Sequence, residues 1–259
     1  MAEPQIEWTD TTWNPVAGCS IMSAGCTNCY TMAMAKRLEL MGMDKYADLT
    51  RTSGKRTIWT GKVREDEGAL AIPFTWKKPR KIFVNSMSDM FHDGVSESFI
   101  LRVWDVMRRT PHHNYQILTK RPDRMAEIVS RAIPDVLPNV WLGTSIEDKA
   151  VAGRVDDLRR VPAAIRFISF EPLIGSVGEI DLTDVHWAIV GGESGKSARP
   201  ILEEWIDDIY DQCADYNAAF FFKQWGTWGK DNKRRSQKAN GREYRGRTWD
   251  EMPAHIQTL

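Results

Sequence analysis

Residues 81–119 read KIFVNSMSDMFHDGVSESFILRVWDVMRRTPHHNYQILT and hold one complete strand–helix–strand unit. The run Lys81-Ile82-Phe83-Val84-Asn85 is β-rich and does not alternate cleanly between apolar and polar. That pattern is expected of a strand covered on both faces. Ser96 to Arg109 then places Phe99, Val103, Val106 and Met107 on one helical face. Tyr115-Gln116-Ile117-Leu118-Thr119 is a second buried run. A helix between two such strands implies a right-handed crossover in a parallel sheet.

The same alternation extends downstream. Further strands are expected at Val140–Gly143, Arg166–Ser169, His186–Val190 and Ala219–Lys223. Helices are expected at Pro122–Ala132, Asp148–Arg160 and Leu202–Tyr216, with Pro122 suited to a first turn. A short strand near Ile6-Glu7-Trp8 would precede them all. The expected fold is α/β, a full or partial (β/α) barrel of the TIM type, with a doubly wound open sheet as the runner-up. The barrel would occupy residues 1–224, interrupted by a cysteine loop at 18–30 and an irregular insertion at 44–79. A basic tail containing Trp and Gly would follow at 225–259.

Lys+Arg and Asp+Glu number 35 each, so net charge says nothing about partners. Its distribution is uneven: Lys230 to Arg247 carries eight Lys/Arg against Asp231 and Glu243. Such a tail, with the insertion, could track phosphates, and Trp225, Trp228, Tyr244 and Trp249 could stack on bases. Most of the 11 tryptophans are expected in the core. No apolar stretch approaches the roughly 18–20 residues that span a bilayer. The start, MAEPQIEW, lacks the apolar centre of a secretory signal, so a cytoplasmic protein is expected.

In that reducing compartment clustered cysteines bind metal more readily than they form disulfides. Cys19, Cys26 and Cys29 lie in GCSIMSAGCTNCY. A closed tetrahedral zinc site wants a fourth ligand, and Cys213 lies far away in a helix, where it reads as a small buried hydrophobe. Three thiolates suit an iron–sulfur cubane with one iron left open to a small molecule.

Each strand is followed by a polar cluster: Asn85 to Asp89, Thr119-Lys120-Arg121, Thr144 to Glu147, Ser169 to Pro172, Gly191 to Ser194, and Lys223 to Gly226. In barrel enzymes this face carries the chemistry. Glu147, Glu171 and Glu193 would point inward, with Lys120, Arg121 and Lys223 as counter-charges. Both signs with several hydroxyls suit a zwitterionic, hydroxyl-rich ligand. Gly191-Gly192 would let a ligand approach the backbone.

A cysteine triad on a loop after the first strand of a (β/α) body resembles the radical S-adenosylmethionine superfamily. The superfamily's usual spacing is three residues, then two; here it is six, then two. The aromatic that the superfamily often places just before the last cysteine, near the adenine, is here Tyr30, just after it. Over nearly the whole chain, WNPVAGCSIMSAGCTNCY, VNSMSDMFH, LTKRP, GTSIED, FISFEPLIG, WAIVGGESG and FFFKQWG resemble a phage-associated three-cysteine-motif family of unknown function, placed near spore photoproduct lyase. The resemblance implies a [4Fe–4S] cluster held by Cys19, Cys26 and Cys29, and S-adenosylmethionine cleaved to a 5′-deoxyadenosyl radical. It implies cofactor contacts from Tyr30, Ser86, Ser88, Thr144, Ser145, Glu147, Gly191, Gly192 and Glu193. Asp89, Lys120, Glu171 and Lys223 would serve substrate contact or proton transfer. A DNA base or nucleotide is the expected substrate, for repair or hypermodification, with an electron donor such as flavodoxin or ferredoxin. The alternative is a nucleic-acid-binding protein with a structural cluster or zinc and no radical chemistry.

Overall fold

The computed structural model describes residues 6–254. Seven parallel strands form one sheet: β1 (Thr11–Trp13), β2 (Lys81–Val84), β3 (Asn114–Thr119), β4 (Val140–Ser145), β5 (Ile165–Phe170), β6 (Trp187–Gly191) and β7 (Ala219–Gln224). They pair in chain order, each with its sequence neighbour. A doubly wound sheet would reverse that order at a switch point, so the runner-up topology is excluded. The sheet curls into a half-barrel with β1 and β7 as its edges.

The main helices are α1 (Tyr30–Leu40), α2 (Glu97–Arg109), α3 (Pro122–Ala132), α4 (Arg154–Arg159) and α5 (Glu203–Asp215). The Ser96 hydroxyl accepts from the Phe99 N–H and starts α2 where the sequence placed it. The helix expected over 148–160 is divided. A 3₁₀ turn at Lys149–Val151, capped by Asp148, gives way at Gly153 to α4. Glycine is a poor helix interior residue, and here it marks the break. Cys213 is buried in α5. Among the described residues no helix is long and apolar enough to cross a membrane.

The first strand lies at Thr11–Trp13, and residues 6–8 form a turn instead. Both runs have β composition, but only Thr11–Trp13 finds a partner, pairing Thr11 with Ile82. Trp8 instead drops its ring into the base of the barrel, where Trp141, Ile165, Phe167, Trp187, Ile189 and Phe221 form a plug. Trp187 is the centre of that plug. Its ring meets those of Trp8, Trp141, Phe167 and Phe221 at 5.7–5.9 Å. Truncating a buried aromatic leaves a cavity that the packed neighbours cannot fill. A Trp187→Ala variant is expected to lose about 3–5 kcal/mol of unfolding free energy in urea titration.

The segment over 44–79 is more ordered than its composition indicates. Thr50–Ser53 and Arg56–Trp59 form an antiparallel hairpin, and Arg64–Glu65 pairs with Val16–Ala17. The basic tail is also integrated. Trp225, Tyr244 and Trp249 are buried, so they are unavailable for base stacking. The Trp225 and Trp249 indoles donate to the carbonyls of Glu243 and Tyr244. Residues 249–251 cover the free edge of β7, with the Phe222 N–H donating to the Trp249 carbonyl at 3.0 Å. An uncovered edge strand would invite pairing with another chain.

Candidate active site

The base of the half-barrel is filled by aromatic side chains, and its C-terminal end is hollow. A cavity of about 470 Å³ lies there, between the strand ends and the cysteine loop. That volume suits a small-molecule ligand. Cys19, Cys26 and Cys29 all line it, as do Tyr30, Ser86, Ser88, Asp89, Lys120, Ser145, Glu171, Gly192, Glu193 and Lys223. Thr144, Glu147 and Gly191 sit outside the lining. The Thr144 hydroxyl is spent on the Thr119 carbonyl at 2.9 Å.

Three carboxylates from three strand ends hold the cysteine loop. Glu147 is fully buried and takes hydrogen bonds from the Ser23 hydroxyl and, at 3.1 Å, from the Gly25 N–H. Lys120 at 3.2 Å and Arg154 at 3.0 Å balance its charge. Only a glycine admits this contact, because a Cβ at position 25 would lie 2.8 Å from the carboxyl group. Glu193 accepts from Asn28 Nδ2 at 3.1 Å and from the Arg199 guanidinium at 2.6 and 2.9 Å. Arg199 also donates to the Ala24 carbonyl. Asp89 accepts from Thr119, from the N–H groups of Phe91 and Lys120, and from Arg121 at 2.9 Å. Arg121 in turn donates to Ser20 at 2.7 Å, the residue next to Cys19. Ser20 is also 2.9 Å from His92 Nε2. Each carboxylate therefore fixes a different stretch of the loop.

Neither Arg154 nor Arg199 was identifiable from local sequence, since each meets its carboxylate only through the fold. The two glycines after β6 also serve an internal purpose. A Cβ on Gly191 would come within 2.4 Å of Glu171, and one on Gly192 within 2.0 Å of the Trp225 carbonyl. Both glycines admit the protein's own groups, and Gly192 also lines the cavity.

Burial opposes ionisation of Glu147, but Lys120, Ser23 and Arg154 outweigh it and hold the carboxyl below the usual glutamate range. The same holds for Glu193, where burial is outweighed by hydrogen bonds from Arg199 and Asn28. A carboxylate depressed on folding stabilises the chain above its unfolded pKa and loses that contribution as pH falls through its folded pKa. The melting temperature of wild type is therefore expected to exceed that of Glu193→Gln at neutral pH. That gap should close on acidification below about pH 4.5. Calorimetry across the acid limb checks this.

Burial pushes the Cys19 thiol up to about 12, with Asp89 reinforcing the effect and Arg121 opposing it. Cys29 is likewise raised by burial. Lys223 pairs with Glu171 at 3.1 Å. Burial would lower the lysine, but Glu171 and Glu7 reverse that and keep it protonated. Tyr30, beside this pair, is raised by burial.

Two buried amides in the cavity wall each keep one atom without a partner among the described residues. Asn85 Oδ1 accepts from the Val16 N–H, which leaves Nδ2 as a free donor. Gln224 Nε2 donates to the Gly192 carbonyl, which leaves Oε1 as a free acceptor. Unmet buried polar atoms are costly, and both of these lie closed off behind the cavity wall.

No curated protein sequence matches the chain. Two solved structures of spore photoproduct lyase mutants are similar in part. A cysteine-to-alanine mutant with dinucleoside spore photoproduct is 11% identical, with a TM-score of 0.40 over 78% of this chain and 60% of that one. A double mutant with bound AdoMet and the same dinucleoside is 12% identical, with a TM-score of 0.42 over 80% and 62%. The chain thus spans about three fifths of the length of those proteins. A family described as "Protein of unknown function (DUF5131)" matches residues 3–253, from before the cysteine loop to beyond the tail segment that covers β7, and the chain belongs to that family.

Proposed function

We propose that this protein is a radical S-adenosylmethionine enzyme acting on a DNA base or nucleotide. The observation that carries the reading is a loop of three thiols, clamped by three strand-end carboxylates over a cavity with charges of both signs. The donor set fits a [4Fe–4S] cluster held by Cys19, Cys26 and Cys29. Among the described residues no three His, Cys, Asp or Glu groups converge as the ligands of a single metal ion do. In a cubane each thiolate meets a different iron, so wider spacing is required. The Glu171–Lys223 pair in the cavity lining, with both signs of charge, fits a zwitterionic cofactor. The sequence motifs around these residues support the same assignment.

When bound, the cluster and S-adenosylmethionine supply a 5′-deoxyadenosyl radical by one-electron reductive cleavage. The chain's own residues do the rest. Glu147, Glu193 and Asp89 hold the thiols in place. Tyr30 lines the cavity beside Cys29. Lys223, kept protonated by Glu171, is a fixed hydrogen-bond donor to an oxygen of the bound substrate. The reducing electron comes from a carrier such as flavodoxin or ferredoxin.

Anaerobic reconstitution with iron and sulfide, followed by dithionite and S-adenosylmethionine, tests the proposal. Chromatography is expected to show 5′-deoxyadenosine. A fully loaded cluster that forms none, with or without DNA, would leave a binding protein with a structural cluster as the better reading.

A further inference from the structure

We propose that a strip of cations across the cavity mouth tracks the phosphodiester backbone of a nucleic-acid strand, so that the substrate base is presented within a polymer. The proposal deepens the base-directed reading above and rests on it.

The basic tail, the obvious sequence candidate, is largely spent within the fold. Five of its cations pair with carboxylates: Lys230 with Glu203, Arg235 with Asp231, Arg242 with Asp250, Arg245 with Asp207 and Arg247 with Glu251. Arg242, Arg245 and Arg247 also lie over Phe221, Tyr210 and Trp249. Lys230 and Arg245 tie the tail to α5, Arg242 stacks on β7, and all five cations already face a carboxylate.

Cations without a carboxylate partner among the described residues lie on the insertion hairpin, at Lys196 and at Arg234 of the tail. Arg51, Lys55 and Arg56 are exposed on the hairpin of the insertion. That hairpin belongs to the mouth: its Trp59 lines the cavity, and Arg56 donates to the Thr27 carbonyl and to Asn28 Oδ1. The other face of Asn28 donates to the Ser197 carbonyl at 2.9 Å. Next to it is exposed Lys196, whose carbonyl accepts from Arg234 at 2.6 Å. Arg234 stacks over Trp228 at 5.2 Å. Asn28, adjacent to Cys29, thus joins two cationic segments about 140 residues apart in the chain.

In a chain with balanced charge, unpaired like charges brought together raise the local potential and repel one another. A partner with regularly repeated negative charge relieves this, and a strand's backbone supplies it.

The test is fluorescence anisotropy of the full chain with a labelled single-stranded oligodeoxynucleotide about 16 nucleotides long. Affinity is followed from roughly 50 to 200 mM salt. In an Arg51→Gln/Lys55→Gln variant the log–log salt slope should be shallower than wild type by about 1.4, at about 0.7 per lost phosphate contact. A Lys77→Gln/Lys78→Gln variant removes the same charge just before β2, at the opposite end of the barrel, and should keep the wild-type slope. Equal slopes in the two variants would overturn the strip. So would displacement of the DNA by polyglutamate as readily as by unlabelled DNA, which would indicate an acidic protein partner. If the slopes differ as expected but no 5′-deoxyadenosine forms, the strip stands and the radical reading fails.

Discussion

A Cys26→Ala chain is expected to hold iron only at background level and to form no 5′-deoxyadenosine, while unfolding close to the wild-type denaturant midpoint. Cys26 lines the cavity together with Cys19 and Cys29. Its sulfur is half-buried, and the contact it makes is with the Ser23 hydroxyl at 3.9 Å. Removing that sulfur empties no packed core, so the stability change should stay within about 0.5–1 kcal/mol. Two thiolates, by contrast, leave one of three iron positions without a protein ligand, and the cluster should not persist. Iron and sulfide analysis with urea titration separates the two effects. About four irons per chain in Cys26→Ala would refute the assignment of the triad as the cluster ligands.

Glu147→Ala should do the reverse, damaging fold and loop together. Its carboxylate is fully buried between Lys120 and Arg154 and carries the Ser23 and Gly25 contacts. Deleting one member of a buried ionic cluster strands the others in a low-dielectric interior, at a cost of about 3–5 kcal/mol. Lys120 keeps some access to water, which places the expected loss toward the lower end. The loop between Cys19 and Cys26 would also lose its central anchor. Groups that orient metal ligands typically change affinity 10–100-fold, and iron loading is expected to weaken on that scale. Glu147→Gln retains an acceptor for the Gly25 N–H, so it should load iron better than Glu147→Ala at a similar stability. Unchanged loading and a loss below 1 kcal/mol in Glu147→Ala would mean that Asp89 and Glu193 hold the loop without it.

Much of the scaffold was legible along the chain. Buried parallel strands read as short apolar runs, and α2, α3 and α5 appear within a residue of the expected bounds because Ser96 and Pro122 start helices by local chemistry. The first strand was misplaced because Ile6–Trp8 and Thr11–Trp13 have similar β character, and only pairing with β2 distinguishes them. α1 went unnoticed because it buries only Thr31, Met32 and Ala35 while Met34 and Leu40 face solvent.

The site was legible as a set of residue types at strand ends, and less so as a set of roles. Glu147, Glu171 and Glu193 occupy equivalent positions after successive strands, yet Glu171 faces Lys223 in the cavity while the other two grip the cysteine loop. The tail's aromatics looked free to stack, and three of the four are buried against the barrel. The strand–helix order, the cluster of three thiols and the end of the barrel where polar groups gather could be read along the chain, because each depends on local pattern and chain direction. Which carboxylates clamp the loop, and which cations keep no carboxylate, emerged from the three-dimensional packing. A buried carboxylate must find its hydrogen-bond donors in space, and here the donors on the cysteine loop lie 124 residues away for Ser23 and Glu147 and 165 for Asn28 and Glu193.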